Sequence, residues 1–290
     1  MNTHKITFVC SSIILSLIAF CTLACNKQNQ QEQQTSQNTR TVRFLTHPKY
    51  SQELVNKAEI GDPDAQCDLG ICYQGGFGVE QNYDEAIKWF SKAAEQGYAR
   101  GQYNMGVCYY YGFGVEQNYE TSFKYFKLAA EQNDPDAQSS LGICYQDGLG
   151  VERNLTEAVK WIKKGAENGS AIAQYNLGTH YDEGIAIEKN ATEAIKWYKK
   201  AAAQGIAQAQ FNIGIHYRDG NGVDIDDIEA FKWIKMAADQ GFPEAQYTVA
   251  DSYFHGKGVD ADKNEAVKWF KRAAEQGLPE AQAVLQQLGL

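Results

Sequence analysis

Basic residues are in the minority in this chain. Lysine and arginine number 27 against 36 aspartates and glutamates in 290 residues, and the formal net charge is −9. Nucleic-acid binding requires a basic stripe, and binding of a folded domain to an anionic membrane requires a basic surface. The charge therefore argues against both kinds of partner and gives a mild bias toward basic ones.

Common catalytic and cofactor motifs are also missing. The sequence has no Ser-x-x-Lys, Lys-Thr-Gly or Gly-x-Ser-x-Gly motif, and no His-Glu-x-x-His motif or phosphate-binding P-loop. None of the histidines has a recurring acidic partner at a useful spacing; they are His4, His47, His180, His216 and His255. The Gly-x-Gly-Val segments follow helices rather than strands, which favours turns over phosphate cradles. These absences predict a protein without catalytic residues, metal or cofactor.

What the chain does contain is one unit repeated at a fixed interval. A glutamine that follows Ala or Gly recurs every 36 residues, with no insertion or deletion. The positions are Gln66, Gln102, Gln138, Gln174, Gln210, Gln246 and Gln282. A strict period of this kind is typical of repeat architectures, in which neighbouring units complete each other's core. It predicts one continuous array rather than two globular domains.

Each unit reads as two helices. In the first copy Ala65, Leu69, Cys72 and Tyr73 share one helical face, and a Gly-x-Gly segment ends that helix. An Asn/Asp-x-x-Glu pattern then predicts a capping box, in which the Glu side chain bonds back to the N–H of the first residue. The pattern pairs Asn82 with Glu85, Asn154 with Glu157, Asn190 with Glu193, Asp226 with Glu229 and Asp262 with Glu265, and Thr121 interrupts it in the second copy.

Two columns of equivalent residues indicate how the units pack. A glycine inside the first helix recurs at Gly70, Gly106, Gly142, Gly178 and Gly214, with Ala250 in the sixth copy. Glycine inside a helix costs about 1 kcal/mol relative to alanine, so its recurrence predicts close approach by the backbone of another helix. An aromatic residue recurs in the second helix at Trp89, Tyr125, Trp161, Trp197, Trp233 and Trp269.

The pattern Ala-x-x-x-Leu-Gly-x-x-Tyr, then Gly-x-Gly-Val, then Ala-x-x-Trp-x-x-Lys-Ala-Ala-x-x-Gly resembles the Sel1-like repeat, a relative of the tetratricopeptide repeat. The resemblance covers about residues 53–290. It implies an all-α fold, a right-handed α-solenoid of stacked antiparallel helix pairs with the first helices on the concave side. The fourth copy departs from the pattern, with Ala186 for the loop glycine and Ile187 for Val. Its loop is therefore expected to differ in shape.

The alignment divides the chain into five predicted segments. Residues 1–24 form a signal peptide of the lipoprotein type, and residues 25–49 form a polar, flexible tether. Residues 50–61 form an N-terminal capping helix, 62–277 six repeats of 36 residues, and 278–290 a C-terminal capping helix. Glu53 stands where the aromatic of a second helix would be, which suits a solvated outer face. Fourteen helices are expected in all.

The N-terminal apolar run over residues 6–20 is too short for a membrane span and is followed by Thr-Leu-Ala before Cys25. This ending resembles a bacterial lipobox and implies lipidation of Cys25, with Thr22 as a departure from the usual Leu. Asn26 after the cysteine favours the outer membrane. The expected location is therefore the bacterial cell envelope, as an outer-membrane lipoprotein facing the periplasm. An ordinary signal peptide would instead give a soluble periplasmic or secreted protein.

The four cysteines after Cys25 are Cys67, Cys72, Cys108 and Cys144. The last three occupy one position in successive repeats, which places them about 8–10 Å apart. A disulfide needs Cα atoms within about 7 Å, so we expect buried free thiols and no disulfide. The same column continues with His180, His216 and Ser252. Zinc ligands must all lie about 2.0–2.3 Å from one ion, so no metal site is expected there.

The remaining face of the first helices indicates where a partner binds. One column of that face is mostly aromatic and the next is rich in asparagine. The candidate partner-binding residues are Tyr103, Asn104, Tyr175, Asn176, Phe211, Asn212 and Tyr247. Asparagine offers a donor and an acceptor to an extended backbone, and tyrosine supplies rigid amphipathic area. The alternative is that these side chains only pack between hairpins.

These features predict a non-enzymatic cell-envelope scaffold that binds a partner protein or peptide through its concave face. Its membrane anchor is the lipid on Cys25, and nucleic acid is not a partner. Two alternatives remain open. One is a binder of peptidoglycan or exopolysaccharide on the aromatic column, and the other is a β-lactam-binding or β-lactamase-like hydrolase.

Overall fold

The computed structural model describes residues 47–290. The predicted signal peptide, Cys25 and nearly all of the tether lie outside these residues. The described region is all-α, with fourteen helices and no strand. They are α1 (Gln52–Glu59), α2 (Pro63–Gly75), α3 (Tyr83–Glu95), α4 (Ala99–Tyr111), α5 (Tyr119–Glu131), α6 (Pro135–Asp147), α7 (Leu155–Glu167), α8 (Ala171–Glu183), α9 (Ala191–Ala203), α10 (Ala207–Asp219), α11 (Asp227–Asp239), α12 (Pro243–His255), α13 (Lys263–Glu275) and α14 (Pro279–Gln287).

The helices from α2 to α13 form six hairpins, each with an even-numbered first helix and an odd-numbered second helix. Every helix packs against the helices before and after it in the chain, so each hairpin is stacked on the next. Small alanines such as Ala93, Ala129 and Ala201 are fully buried where the helices meet. The predicted α-solenoid of helix pairs is confirmed.

The start of each second helix differs from the predicted capping box. The side chain of Asn82 accepts a hydrogen bond from the N–H of Glu85, as expected. The N–H of Asn82, however, donates to the carbonyl oxygen of Tyr73 at 2.9 Å, and Glu85 contacts Lys88 instead. The same backbone bond to the first-helix tyrosine recurs in all six hairpins. The chain turning back on α2 supplies the acceptor, which is why Thr121 leaves its cap intact.

The mid-helix glycines make room for a side chain rather than for a helix backbone. A Cβ on Gly106 would lie 2.6 Å from the ring of Phe126, and one on Gly178 would lie 2.6 Å from the ring of Tyr198. Both rings belong to the second helix of the same hairpin. Where that residue is isoleucine, backbone is also among the nearest atoms: a Cβ on Gly142 would lie 3.0 Å from the carbonyl oxygen of Ala158. The predicted reason for this column was wrong in most copies.

The loop of the fourth repeat keeps the shape of the others. Ala186 has φ of +54°, in the left-handed region that Gly78 and its equivalents occupy. Local conformation is therefore imposed by the flanking helices, although a non-glycine residue is strained there. The prediction that this loop would differ in shape was wrong.

The recurring glutamine joins successive hairpins. Gln138 is fully buried, and its Nε2 donates to the carbonyl oxygen of Ala130 at 3.1 Å in the preceding second helix. Its Oε1 accepts from Asn168 at 2.9 Å, 30 residues later. The residue pairs 30 apart repeat along the chain as Gln66 with Gln96, Gln102 with Gln132, Gln174 with Gln204, Gln210 with Gln240 and Gln246 with Gln276. These bonds fix the position of each hairpin on its neighbour.

Candidate partner-binding surface

The first helices form the inner side of the stack. Among the described residues, α2 contacts α4 and α6 contacts α8, whereas no two second helices approach each other so closely. Side chains also bridge neighbouring first helices, as Arg100 does to Asp68 at 2.6 Å and His180 to Gln146 at 2.9 Å. A stack whose first helices are closer together than its second helices curves toward the first helices. That layer is therefore the concave surface.

The aromatic residues predicted to bind a partner lie half-buried on this layer. Tyr103 packs on Phe126 with ring centroids 5.8 Å apart, and Tyr175 packs on Tyr198 at 5.7 Å. Phe211 and Tyr247 are in similar contacts with Phe242 and Phe270, at 5.3 and 5.4 Å. One side of each ring thus completes the packing between helices. These residues have a structural role, and their role in binding stays a prediction.

The asparagine column is used differently from copy to copy. Asn212 lies near the hydroxyl group of Tyr198 and works to lower its pKa, which burial raises, and that hydroxyl donates to Thr179 at 3.3 Å. Asn176 is buried, with 6% of its surface exposed. Asn104, by contrast, has a buried Nδ2 atom without a hydrogen-bond partner in the described chain. The structure therefore places the predicted residues in two adjacent columns, and Asn104 is the one among them with a buried donor atom that lacks a partner in residues 47–290.

Unpaired buried polar atoms are concentrated on the first helices. In residues 47–290, seven buried side-chain nitrogen or oxygen atoms lack a hydrogen-bond partner, and only Trp89 Nε1 is on a second helix. The six on first helices are Asn104 Nδ2, Tyr111 Oη, Ser139 Oγ, Asp147 Oδ2, Asp182 Oδ1 and Glu244 Oε2. Buried polar groups are normally bonded because leaving one unpaired costs about 1–3 kcal/mol. Ser139, with 2% of its surface exposed, is the most deeply buried of these residues.

Charge is divided between the two helix layers. The six first helices contain nine acidic residues, two arginines and no lysine, which gives a net charge of −7. The acids are Asp64, Asp68, Asp136, Asp147, Asp182, Glu183, Asp219, Glu244 and Asp251. The six second helices contain 13 acids and 16 lysines and arginines, which gives +3. The overall acidity of the chain thus hides an acidic inner layer and a weakly basic outer layer.

The acid–histidine pair of Asp182 and His216 was missed by sequence reasoning. Nε2 of His216 lies 3.4 Å from Oδ2 of Asp182 in the preceding hairpin, and Nδ1 donates to the carbonyl oxygen of Asn221 at 2.8 Å. Burial works to lower the pKa of His216, but Asp182 and the Asn221 carbonyl outweigh it, and the pKa is raised above its ordinary value. The 34-residue separation, two short of the repeat period, is the signal that could have revealed the pair.

The equivalent His180 is held neutral instead. Its Nδ1 lies 2.9 Å from the carbonyl oxygen of Ile185, and its Nε2 faces the amide of Gln146 where His216 faces a carboxylate. Burial lowers the pKa of His180, and the Ile185 carbonyl only partly opposes that effect. A neutral His180 is satisfied when the Gln146 amide presents its NH2 group to Nε2. One position in two adjacent repeats thus holds two histidines whose pKa values are shifted in opposite directions.

The four cysteines of the described region are unpaired and buried. Burial raises the pKa of the Cys67, Cys108 and Cys144 thiols to about 12 and that of Cys72 to about 11. Within residues 47–290 no group of three or more His, Cys, Asp or Glu side chains is arranged to hold a metal ion. None of the helices described is both long and apolar enough to cross a bilayer.

Comparison with protein families identifies the repeat. The Sel1 repeat family matches residues 63–98, 99–134, 135–170, 171–206, 207–242 and 243–278. The chain therefore belongs to the Sel1 repeat family, whose members commonly serve as protein-interaction scaffolds and are generally not catalytic. No curated protein sequence matches the chain significantly.

Solved structures agree with this assignment. One is c5321, described as a protective antigen present in uropathogenic Escherichia coli strains and displaying an SLR fold. It is 36% identical with a TM-score of 0.70 over 81% of this chain, and this chain spans only 51% of its length. A Sel1 repeat protein from Oxalobacter formigenes is 34% identical with a TM-score of 0.70, covering 75% of this chain and 89% of that protein.

Proposed function

We propose that this protein is a non-enzymatic scaffold of the bacterial cell envelope that binds a partner protein or peptide through its first-helix layer. The observation that supports the proposal most directly is the concentration of unpaired polar atoms on that layer, including Asn104 Nδ2 and Ser139 Oγ. These atoms are covered by neighbouring side chains, and an extended peptide that displaces those side chains can satisfy them with its regularly spaced backbone donors and acceptors. The half-buried rings beside them add apolar contact area.

The anchoring part of the proposal concerns the N-terminus. Cys25 becomes the lipidated first residue of the mature protein, and the polar segment up to residue 49 holds the solenoid away from the bilayer. The support is the Thr-Leu-Ala-Cys sequence after a short apolar run. Asn26 after the cysteine supports attachment to the outer membrane, and the proposal places the solenoid on its periplasmic side.

Metabolic labelling with a fatty-acid probe tests the anchor. The full chain should incorporate the probe and fractionate with membranes, and Cys25→Ala should lose both properties. Cys10→Ala is the matched control, since that cysteine lies in the segment removed with the signal. Equal labelling of the wild type and Cys25→Ala would contradict the anchor and leave a soluble exported protein.

Retention of a partner from envelope extract tests the scaffold. The immobilised mature chain should retain a protein that is released by protease treatment of the extract and not by glycosidase treatment. Retention of polysaccharide alone would overturn the proposal in favour of glycan binding. Rapid hydrolysis of a chromogenic cephalosporin by the purified chain would overturn the assignment of a non-enzymatic role.

A further inference from the structure

The first-helix layer is strongly acidic, with a net charge of −7, and this charge restricts the kind of partner that it can bind. All nine acids of the six first helices are opposed by only two arginines, and both arginines are already paired. Arg100 contacts Asp68 at 2.6 Å and Asp64 at 3.6 Å, and Arg218 contacts Asp219 at 2.7 Å. Among residues 47–290, six first-helix acids therefore have no lysine or arginine partner.

The second helices show the opposite use of charge. In five of the six second helices a first-turn glutamate is paired with a lysine three residues later, as in Glu157 with Lys160 at 3.0 Å and Glu229 with Lys232 at 3.0 Å. Other lysines lie over the aromatic column, such as Lys200 at 3.6 Å from the ring centroid of Trp197. The outer layer thus pairs seven of its 13 acids with its own lysines, whereas the inner layer pairs three of its nine acids with arginine.

Several inner-layer acids also lie where a helix disfavours them. Asp147, Asp182 and Glu183 are in the last turns of α6 and α8, next to the partial negative charge of the helix C-termini. One carboxylate oxygen of Asp147 and one of Asp182 are buried without a partner. Stability alone would place lysine or arginine there. A cation brought by another molecule would remove the repulsion and satisfy the free oxygens.

From these observations we infer that the first-helix layer binds an extended segment rich in lysine or arginine on its protein partner. The segment lies along the concave surface, with its cationic side chains on the acids of α6, α8 and α12. Charge complementarity chooses this partner over an acidic peptide, which the net charge of −7 on this layer repels. The inference rests on the proposed scaffold function and specifies the chemistry of its partner.

Binding of a fluorescent peptide to the chain tests the inference. The probe is a twelve-residue peptide that alternates Lys or Arg with Ala or Ser, and the comparison peptide has Glu at the cationic positions. The first should bind with a dissociation constant that rises when sodium chloride is raised from 50 to 300 mM, and the second should not bind. Absence of binding by the cationic peptide, or equal binding of both, would overturn the inference.

Two triple variants with the same change of net charge separate a defined surface from bulk attraction. One is Asp147→Asn, Glu183→Gln, Glu244→Gln on first helices; the other is Glu131→Gln, Glu167→Gln, Glu275→Gln on second helices. The first should weaken cationic-peptide binding by about tenfold, and the second by less than about twofold. Equal weakening by both would leave only bulk attraction and contradict the inference. Circular dichroism and thermal unfolding confirm that both variants remain folded.

The same variants in the envelope-extract experiment distinguish the two proposals. If the wild type retains a protein and the first-helix variant retains it equally, the scaffold function stands and the basic partner is wrong. If the wild type retains no protein, the scaffold function itself fails. If only the first-helix variant loses the retained protein, both are supported.

Discussion

The amide of Gln138 donates a 3.1 Å hydrogen bond to the carbonyl oxygen of Ala130 and accepts one of 2.9 Å from Asn168. Both Gln138 and Ala130 are fully buried, so neither can exchange its partner for water. The bond joins one hairpin to the next and recurs at the 36-residue interval. It explains why a polar residue marks the period of this chain.

Replacing Gln138 with Ala should destabilise the solenoid by about 1–3 kcal/mol, because both of its hydrogen bonds to neighbouring hairpins are lost and a cavity replaces a buried side chain. Gln282→Ala is the matched control. It occupies the same position in α14, makes a 3.3 Å bond to Ala274 and is exposed, so its loss should change stability by less than about 0.5 kcal/mol. Urea unfolding followed by circular dichroism measures both; similar midpoints for the two variants would contradict the role of the buried bond.

Ala186→Gly should stabilise the protein by about 0.5–1 kcal/mol, since alanine is strained at a φ of +54° and glycine is not. Gly150→Ala, at the same loop position in the third repeat, is the reverse change. A Cβ there would meet the backbone of Tyr119 as well as the positive φ, so destabilisation should exceed about 1 kcal/mol. Thermal unfolding measures both changes: the midpoint should rise for Ala186→Gly and fall for Gly150→Ala. A lower midpoint for Ala186→Gly would show that this loop is not strained.

The Asp182–His216 contact should make stability depend on pH. The pKa of His216 is raised in the folded protein, so its contribution is complete below the unfolded pKa of about 6.5 and is lost as pH rises through the folded pKa. Asp182→Asn removes the charge partner. The stability difference between wild type and this variant should reach up to about 2 kcal/mol near pH 5.5 and decrease toward pH 8.

Gln146 and His180 provide the control for that measurement. His180 has a lowered pKa and faces an amide, so its own contribution is lost as pH falls, the opposite direction. Gln146→Ala should therefore not reproduce the pH dependence that distinguishes Asp182→Asn. If the stability difference between wild type and Asp182→Asn is constant from pH 5.5 to 8, Asp182 does not stabilise a protonated His216 in this range.

The four thiols of the solenoid should be unreactive in the folded state. Burial raises their pKa to about 11–12, so little thiolate is present at pH 8 and access is blocked. A chain of residues 26–290 contains only these cysteines. A thiol reagent should label four groups in urea and almost none without it. Cys72 should react first among them, because its sulfur is covered by the segment at Pro48 near the edge of the described chain.

Two asparagines of one column should separate binding from stability. Asn212→Ala removes a polar neighbour of the buried Tyr198 hydroxyl and should cost about 1 kcal/mol of stability. Asn104→Ala removes an unpaired donor and should leave the melting temperature within about 2 °C of the wild type. It should instead weaken retention of the envelope partner. A destabilised Asn104→Ala variant with unchanged retention would show that this residue is purely structural.

The architecture could be predicted from the sequence because its signals are local and repeated. Helix-ending glycines, Asn and Asp caps and apolar faces act within a few residues, and six copies of the same pattern support each other. The buried free thiols at Cys72, Cys108 and Cys144 follow from the same period, since equivalent residues lie one helix spacing apart. Local chemistry together with a strict 36-residue interval was enough for the solenoid.

Contacts between hairpins were decided only by the tertiary structure. The carbonyl of Tyr73 takes the bond that local reasoning gave to Glu85, because the chain folds back on α2. Within one hairpin the ring of Tyr198 fills the space at Gly178. Between two hairpins Asp182 meets His216, because neighbouring copies differ in sequence where they touch. A repeat pattern specifies the average unit. Which side chains contact each other depends on the sequences of the particular copies that pack together.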